Sequence, residues 1–169
     1  LGDGNELGLN LTYKVQNSPD GIAQAFLIAG DFILNSTTVL ILGDNLFFGE
    51  GINKKIKNGI SRNSGATIFG YKVNDPERFG VIEFDKNKNV KSIEEKPKIP
   101  KSEWAVTGLY IYDQNVVKYS NTLTKSKRGE LEITDLNMIY LNKDILKTEL
   151  FGNDVSWLDT GTFDALLEA

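Results

Sequence analysis

Residues 39–42 read Val-Leu-Ile-Leu and run without a polar break into Gly43-Asp44-Asn45. An apolar run with no alternation is the pattern of a strand covered on both faces, as in a parallel sheet. Helical spacing stands on either side of it. Ile22, Ala25, Phe26, Ala29 and Ile33 recur at helical intervals before it, and Ile52, Ile56 and Ile60 recur four apart after it. With a strand over 11–15 (LTYKV) and another over 66–73, the first half reads strand, helix, strand, helix, strand. That order predicts an α/β fold, a mixed and mostly parallel sheet with crossover helices on both faces.

The pattern then changes. Two short runs, 80–84 and 90–94, flank the polar cluster Asp85-Lys-Asn-Lys-Asn89, which predicts a β-hairpin. A long strand over 104–112 (WAVTGLYIY) follows, then helices over 115–123 and 134–142. Short strands over 146–151 and 155–158 and a last helix from 163 to 167 complete the reading. Asp20 or Ser18 is expected to cap the helix over 22–34, and Thr134 the helix over 134–142. No repeat or linker divides the chain, so 1–169 predicts one domain with 74–103 as a hairpin insertion. The chain opens Leu1-Gly2-Asp3 and closes in a helical pattern, so both ends read as cut.

The 169 residues contain no cysteine and no histidine. Within them this excludes disulfides, thiolate chemistry, imidazole bases and His-ligated zinc. A metal held by these side chains is a hard, oxygen-ligated cation such as magnesium, manganese or calcium. The formal net charge of −4 argues against a nucleic-acid partner. A few placed Lys and Arg can still bind small anions. No apolar run approaches the ~20 residues that span a bilayer, so no membrane partner is expected.

Open α/β sheets gather ligands at the C-terminal ends of their strands. Asp44 falls at one such end, and Asp159, in Ser156-Trp-Leu-Asp-Thr-Gly161, at another. Two such carboxylates could share one Mg²⁺, which keeps its waters and binds substrate phosphates. Each also has a plainer reading, Asp44 as a helix N-cap and Asp159 as a turn residue. Glu95 and Lys96 end a strand that Pro97 stops. Glu can accept hydrogen bonds from sugar hydroxyls and Lys can hold a phosphate, or the pair is a solvated charged turn. Gly80, closing Asn74-Asp-Pro-Glu-Arg-Phe-Gly80, either admits a ligand close to the backbone or simply turns the chain. Arg128 could reach an anion or lie on the surface. Gln16, with a backbone group near Gly21, could read a pyrimidine edge or be an ordinary loop residue.

In order and spacing, QNSPDGIAQAF, LGDNLFFG, NDPERFGVIEFD, EEKP, AVTGLYIYD, RGELEITDLN and WLDTGT resemble the glucose-1-phosphate thymidylyltransferases of the sugar nucleotidyltransferase family, over essentially the whole chain. The resemblance implies a Rossmann-like nucleotidyltransferase fold with a sugar-binding hairpin region. It implies Mg²⁺-dependent transfer of a thymidylyl group from dTTP to glucose 1-phosphate, giving dTDP-glucose and pyrophosphate. By the same resemblance Asp44 and Asp159 are the magnesium ligands, and Gln16 and Gly21 belong to the thymine-reading loop. Asn45, Gly80, Glu95, Lys96 and Val106 match contacts to the glucose phosphate, and Arg128 matches a phosphate-side arginine. A cytoplasmic enzyme, homo-oligomeric at full length and serving dTDP-rhamnose and polysaccharide synthesis, is implied as well.

One family feature is missing from 1–169, the loop Gly-Gly-x-Gly-Thr-Arg with a nearby Lys that cradles the triphosphate. Gly2-Asp-Gly4 has neither the Arg nor an apolar strand before it. The chain therefore reads as a truncated, internal part of such an enzyme, with little expected activity alone. Without the family's first strand, two sheet strands are expected to lack a neighbour, an edge that invites association. A uridylyltransferase of the same fold is an alternative, since one methyl group is worth only about 1–3 kcal/mol of discrimination. A non-catalytic sugar-nucleotide-binding module is the alternative from another class. A plain glycosyltransferase would carry an Asp-x-Asp motif, which the chain lacks.

Overall fold

The computed structural model describes all residues except 63, 163–165 and 168–169. Its strands in chain order are β1 (Thr38–Ile41), β2 (Asn45–Gly49), β3 (Ala66–Lys72), β4 (Gly80–Phe84), β5 (Val90–Glu95), β6 (Trp104–Tyr112), β7 (Leu146–Leu150) and β8 (Val155–Asp159). The helices are α1 (Gln24–Ile28), α2 (Gly30–Ile33), α3 (Ile52–Ser61), α4 (Val116–Ser120) and α5 (Ile133–Asn142).

The rich β-formers of β6 make it the spine, with every residue after Trp104 buried. One edge of β6 carries β3; the other carries β1 against 109–112 and touches β4 where Val81 faces Ala105. β5 pairs with β4, and β7 with β3, completing the sheet. β2 and β8 form a separate two-stranded ribbon. The hairpin thus extends the main sheet. Its turn is held by the Asp85 carboxylate, which accepts the Asn87 and Asn89 backbone N–H groups at 2.8 Å each.

The sheet is mixed, as expected, but it is not mostly parallel. Among the described strand pairs only β3–β7 is parallel, and β1 runs antiparallel to β6. An apolar run reports burial and carries no information on direction. Nor is β1 fully covered, since Val39 and Ile41 are 44% and 57% exposed. Residues 11–15 form no regular strand. Their β-prone side chains, Tyr13 and Val15 among them, stay exposed because no described strand lies alongside to complete a ladder.

Helices do cover both faces. On one, Phe26, Val116, Leu136 and Tyr140 pack on Ile68, Tyr110 and Tyr112. On the other, Ile52 and Ile56 of α3 meet Phe69, Leu109 and Ile111. The helix expected over 22–34 divides at Ala29 into α1 and α2, and neither has a side-chain cap. Asp20 instead pairs with Lys125 at 2.8 Å and accepts the Gln24 side-chain amide. Nor does Thr134 cap α5, whose N-cap position is Glu132. The last helix expected from 163 to 167 lies mostly outside the described residues. Among those described, no helix is long and apolar enough to cross a membrane.

Glu83 ties the hairpin together. Its carboxylate accepts hydrogen bonds from Lys91 Nζ at 2.6 Å and Ser92 Oγ at 2.8 Å, with Lys101 Nζ 3.3 Å away. The Lys91 bond, then the Ser92 bond, hold its pKa down at about 2, from 4.5. A folded-state pKa below the unfolded value adds stability above the unfolded pKa, and that stability is lost as pH falls through the folded one. Glu83→Gln is therefore expected to flatten the stability loss between about pH 4.5 and pH 2, read by chemical denaturation at stepped pH. Parallel acid profiles for parent and variant would contradict it.

Candidate active site

Leu42 follows β1 and donates its N–H to Gly108 O at 2.9 Å; the chain then turns, with Asn45 N donating to Leu42 O at 3.1 Å. Asp44 sits in that turn between two strands. It cannot be a helix N-cap, because no helix follows. Asp159 is the last residue of β8 and lies opposite Asn45 in the β2–β8 ladder. Thr160 fastens the two turns, donating both N–H and Oγ1 to Asp44 O at 2.8 Å. A Cβ placed on Gly161 would lie 2.8 Å from Asp44 Oδ2 and 3.3 Å from Asp159 Oδ1. The two carboxylates therefore converge on one small open volume that only a glycine leaves free.

Beside them is a hollow of ≈ 250 Å³ lined by Asp44, Asn45, Gly80, Glu95, Lys96, Val106, Arg128 and Asp159. Glu95 ends β5 and accepts the Thr134 hydroxyl on Oε2. A Cβ at Gly80 would come within 3.2 Å of that same hydroxyl, so the glycine lets β4 lie close beneath the Glu95–Thr134 pair. Lys96 is held in the left-handed region, φ 43°, with its N–H donated to Phe79 O at 3.0 Å. Its ammonium group faces the same hollow as Glu132, and its charge helps to hold the Glu132 carboxyl down.

Arg128 is differently occupied. It grips Glu132 with Nε and Nη2 at 3.0 and 2.9 Å, donates to Glu130 at 2.9 Å and lies 3.9 Å from Glu95. The Glu132 bonds raise the Arg128 pKa further. Burial pushes the Glu132 carboxyl upward, but its bonds to Arg128 and Ser126 outweigh this and leave it below the ordinary value. Tyr110, also in the hollow, has its phenol pushed well up by burial and then by the Glu95 charge.

Gln16 and Gly21 do not line this hollow, although Ile22 does. Gln16 Nε2 donates to Gly21 O at 3.1 Å and to Gln24 Oε1 at 2.6 Å, closing its own loop. Gly21 has a steric requirement as well. Its φ is +103°, and a Cβ there would overlap the Leu131 backbone. Four further residues belong to the site, Arg78, Glu132, Thr134 and Trp157, of which the sequence gives only Thr134 a role, as a helix cap. Arg78 stood in the flagged Asn74–Gly80 loop, and Trp157 two residues before Asp159. Neither position carries a local pattern that separates it from a surface or core residue.

The sequence model of the family described as nucleotidyl transferase matches residues 1–169. The chain belongs to the nucleotidyl transferase family. Among curated relatives, the glucose-1-phosphate thymidylyltransferase of Neisseria gonorrhoeae is 54% identical over the whole chain, and that of Mycolicibacterium smegmatis 51%. This nucleotidyl transferase chain spans 59% and 58% of their lengths. A Bacillus anthracis protein described as a glucose-1-phosphate thymidylyltransferase, crystallised with sucrose, superposes with a TM-score of 0.89 at 43% identity, covering 99% of this chain and 66% of that one. A UDP-glucose pyrophosphorylase bound to UDP-glucose shares the fold at a TM-score of 0.81 and 22% identity, covering 93% of this chain and 63% of that one.

Two carboxylates are few for a metal held by protein alone, and no group of three or more acidic side chains suited to a metal occurs among the described residues. Two suffice for Mg²⁺, which keeps waters and takes substrate phosphate oxygens. The Asp44–Asp159 pair in this nucleotidyl transferase chain therefore fits that ion. Lys96 tests the site from another side. A non-glycine residue in the left-handed region costs about 1 kcal/mol relative to glycine. Lys96→Gly is expected to raise the melting temperature by about 2–4 °C while weakening phosphate-ligand binding. Calorimetry with glucose 1-phosphate reads both; a variant that is less stable, or binds as the parent does, would contradict it.

Proposed function

We propose that this chain forms the metal side and the sugar-phosphate side of a site that transfers a thymidylyl group from dTTP to glucose 1-phosphate, releasing pyrophosphate. The observation that carries the proposal is the convergence of Asp44 and Asp159 at Gly161, next to Lys96 in a hollow that also presents Glu95. The names of relatives 51–54% identical support the substrates.

Asp44 and Asp159 would hold a Mg²⁺ ion, whose charge would neutralise phosphate oxygens as negative charge shifts to the leaving group. The attacking sugar phosphate is already ionised near neutral pH, so no histidine or other base is required. Its oxygen bonds to the α-phosphorus of dTTP, the bond to the β-phosphate oxygen breaks, and the electron pair leaves on pyrophosphate. Lys96 holds the sugar phosphate through charge. Glu95, oriented by Thr134, accepts hydrogen bonds from sugar hydroxyls, while Val106 and Gly80 shape the wall beneath the ring. Asn45 closes the floor behind Asp44. Arg128 turns to phosphate only by giving up part of its hold on Glu130 and Glu132. Gln16 and Gly21 are assigned to the base by the family resemblance, and Gln16 would have to release Gly21 O and Gln24 to read it.

Pyrophosphate release tests this, with Mg²⁺, glucose 1-phosphate and either dTTP or UTP. The chain is compared with a version preceded by the Gly-Gly-x-Gly-Thr-Arg loop that the family resemblance implies. The expected result is turnover by the longer protein, faster with dTTP, and little by the chain alone. Equal rates with UTP would overturn the base assignment, and silence from both would overturn the transferase reading.

A further inference from the structure

Asn45 is buried, and its side-chain amide is oriented without ambiguity. Oδ1 accepts the Trp157 indole N–H at 2.7 Å and the Gly108 backbone N–H at 2.8 Å. Both partners are donors only, so a flipped amide would set its NH₂ group against two N–H groups. Nδ2 is thereby aimed the other way, and it donates to Asp44 Oδ1 at 2.9 Å. The amide is also seated sterically. A Cβ at Gly108 would fall 2.5–2.8 Å from its three terminal atoms, so β6 offers bare backbone where the amide lies. Trp157 itself is fixed edge-on by Phe79 at 5.2 Å and Tyr71 at 5.8 Å. Phe79 in turn lies under the Arg78 guanidinium at 5.2 Å, on the loop that opens into Gly80.

We propose that Trp157 is a positioning residue: through the Asn45 amide it fixes the Asp44 carboxylate toward Asp159, and so sets divalent-cation affinity. The inference rests on the reading of Asp44 as a metal carboxylate. It assigns Trp157 a task that packing alone would not require, since the edge-on contacts with Phe79 and Tyr71 use the ring and not the indole N–H. Without the indole N–H, one of the two donors that dictate the amide orientation is gone, and Asp44 Oδ1 loses an assured partner. Hydrogen bonds of this kind behind a metal-binding carboxylate typically govern affinity by a factor of ten or more.

The test is Mn²⁺ affinity of the 169-residue chain, from the electron paramagnetic resonance signal of the free ion, with melting followed by circular dichroism. Trp157→Phe is expected to weaken Mn²⁺ binding about tenfold while the chain stays folded. In an Asn45→Ala background the same substitution is expected to change affinity by less than about twofold, because the route to Asp44 is already cut. Asp44→Asn serves as the reference. If Asp44→Asn weakens binding and Trp157→Phe does not, or if the Trp157 and Asn45 effects simply multiply, the inference is overturned while the metal reading stands. If Asp44→Asn binds Mn²⁺ as the parent does, the metal reading fails and the inference with it. Should Trp157→Phe unfold the chain, the benzothiophene isostere of tryptophan at 157 keeps ring size and lacks the N–H. Parent-like affinity in that protein overturns the inference, and a tenfold loss supports it.

Discussion

Asp44→Asn is expected to lower pyrophosphate release about 10²–10³-fold in a protein that carries the glycine-rich segment, with little change in stability. The two halves of that expectation have separate causes. The turn that carries Asp44 is held by its backbone, since Thr160 donates twice to the Asp44 carbonyl and Asn45 N–H closes the turn on Leu42. Neither bond uses the carboxylate. An amide of nearly the same shape can still present its oxygen to Asn45 Nδ2, so the local packing survives. What is lost is one of two negative charges converging at Gly161. A cation held by a single carboxylate and waters binds more weakly, and phosphate charge is neutralised less well as the leaving group departs. Excess Mg²⁺ should recover part of the rate. Glu95→Gln makes the contrast, because Glu95 is anchored to Thr134 on the sugar side, so its loss should raise KM for glucose 1-phosphate and leave the Mg²⁺ dependence alone. Near-parent turnover by Asp44→Asn would remove the metal role from the mechanism.

The parts of this fold that were legible in the sequence are those whose signals are local. The hairpin, with Asp85 at its turn, and β6 fall within a residue of their expected bounds, and α3 spans the Ile52, Ile56 and Ile60 spacing, because turn chemistry and side-chain period act over a few positions. Strand direction was not legible, since β1 and a parallel strand look alike from within. β2 went unrecognised because NLFFG becomes a strand only when β8, more than a hundred residues later, lies against it. The converse holds for 11–15, which has the side chains of a strand and no described neighbour to pair with. The site divides in the same way. That Asp44 and Asp159 end strands could be read from the sequence. Their convergence depends on the register that sets Asn45 opposite Asp159, and register belongs to the ladder. Thr134 looked like a cap because Ser and Thr before a helix usually are; here the Glu95 carboxylate from another element takes its hydroxyl. Arg128 read as a cation available for phosphate, yet Glu130 and Glu132, in the same short stretch, engage it first.

Asp113→Ala is expected to cost about 4 kcal/mol and to lower the melting temperature by about 10 °C. The sequence gives this residue no role beyond closing the AVTGLYIYD stretch, and it does not line the hollow. It follows β6 and is buried, with both carboxylate oxygens doubly used. Oδ2 accepts the Gly65 N–H at 2.9 Å and Asn115 Nδ2 at 3.0 Å, while Oδ1 accepts the Asn115 N–H at 2.9 Å and the Tyr140 hydroxyl at 3.0 Å. The Asp113 N–H returns a bond to Gly65 O at 2.9 Å, so the end of β6 and the start of β3 are locked reciprocally. Gly65 cannot adjust, since its φ is +78° and a Cβ there would overlap the Ile145 carbonyl. Alanine at 113 would leave the Gly65 N–H and the Tyr140 hydroxyl buried without their acceptor, at about 1–3 kcal/mol each, besides freeing the turn at Asn115. Asp113→Asn should cost less, because the amide oxygen can serve one pair of donors while its NH₂ faces only one buried N–H. Urea denaturation of the two variants orders the costs, Ala above Asn. Mn²⁺ affinity of the folded protein should stay at the parent value in both, because Asp113 acts on the sheet and not on the Asp44–Asp159 pair. A loss under about 1 kcal/mol for Asp113→Ala would mean that water replaces the carboxylate there, and that β6 is held at this end by packing against Tyr140 rather than by its hydrogen bonds.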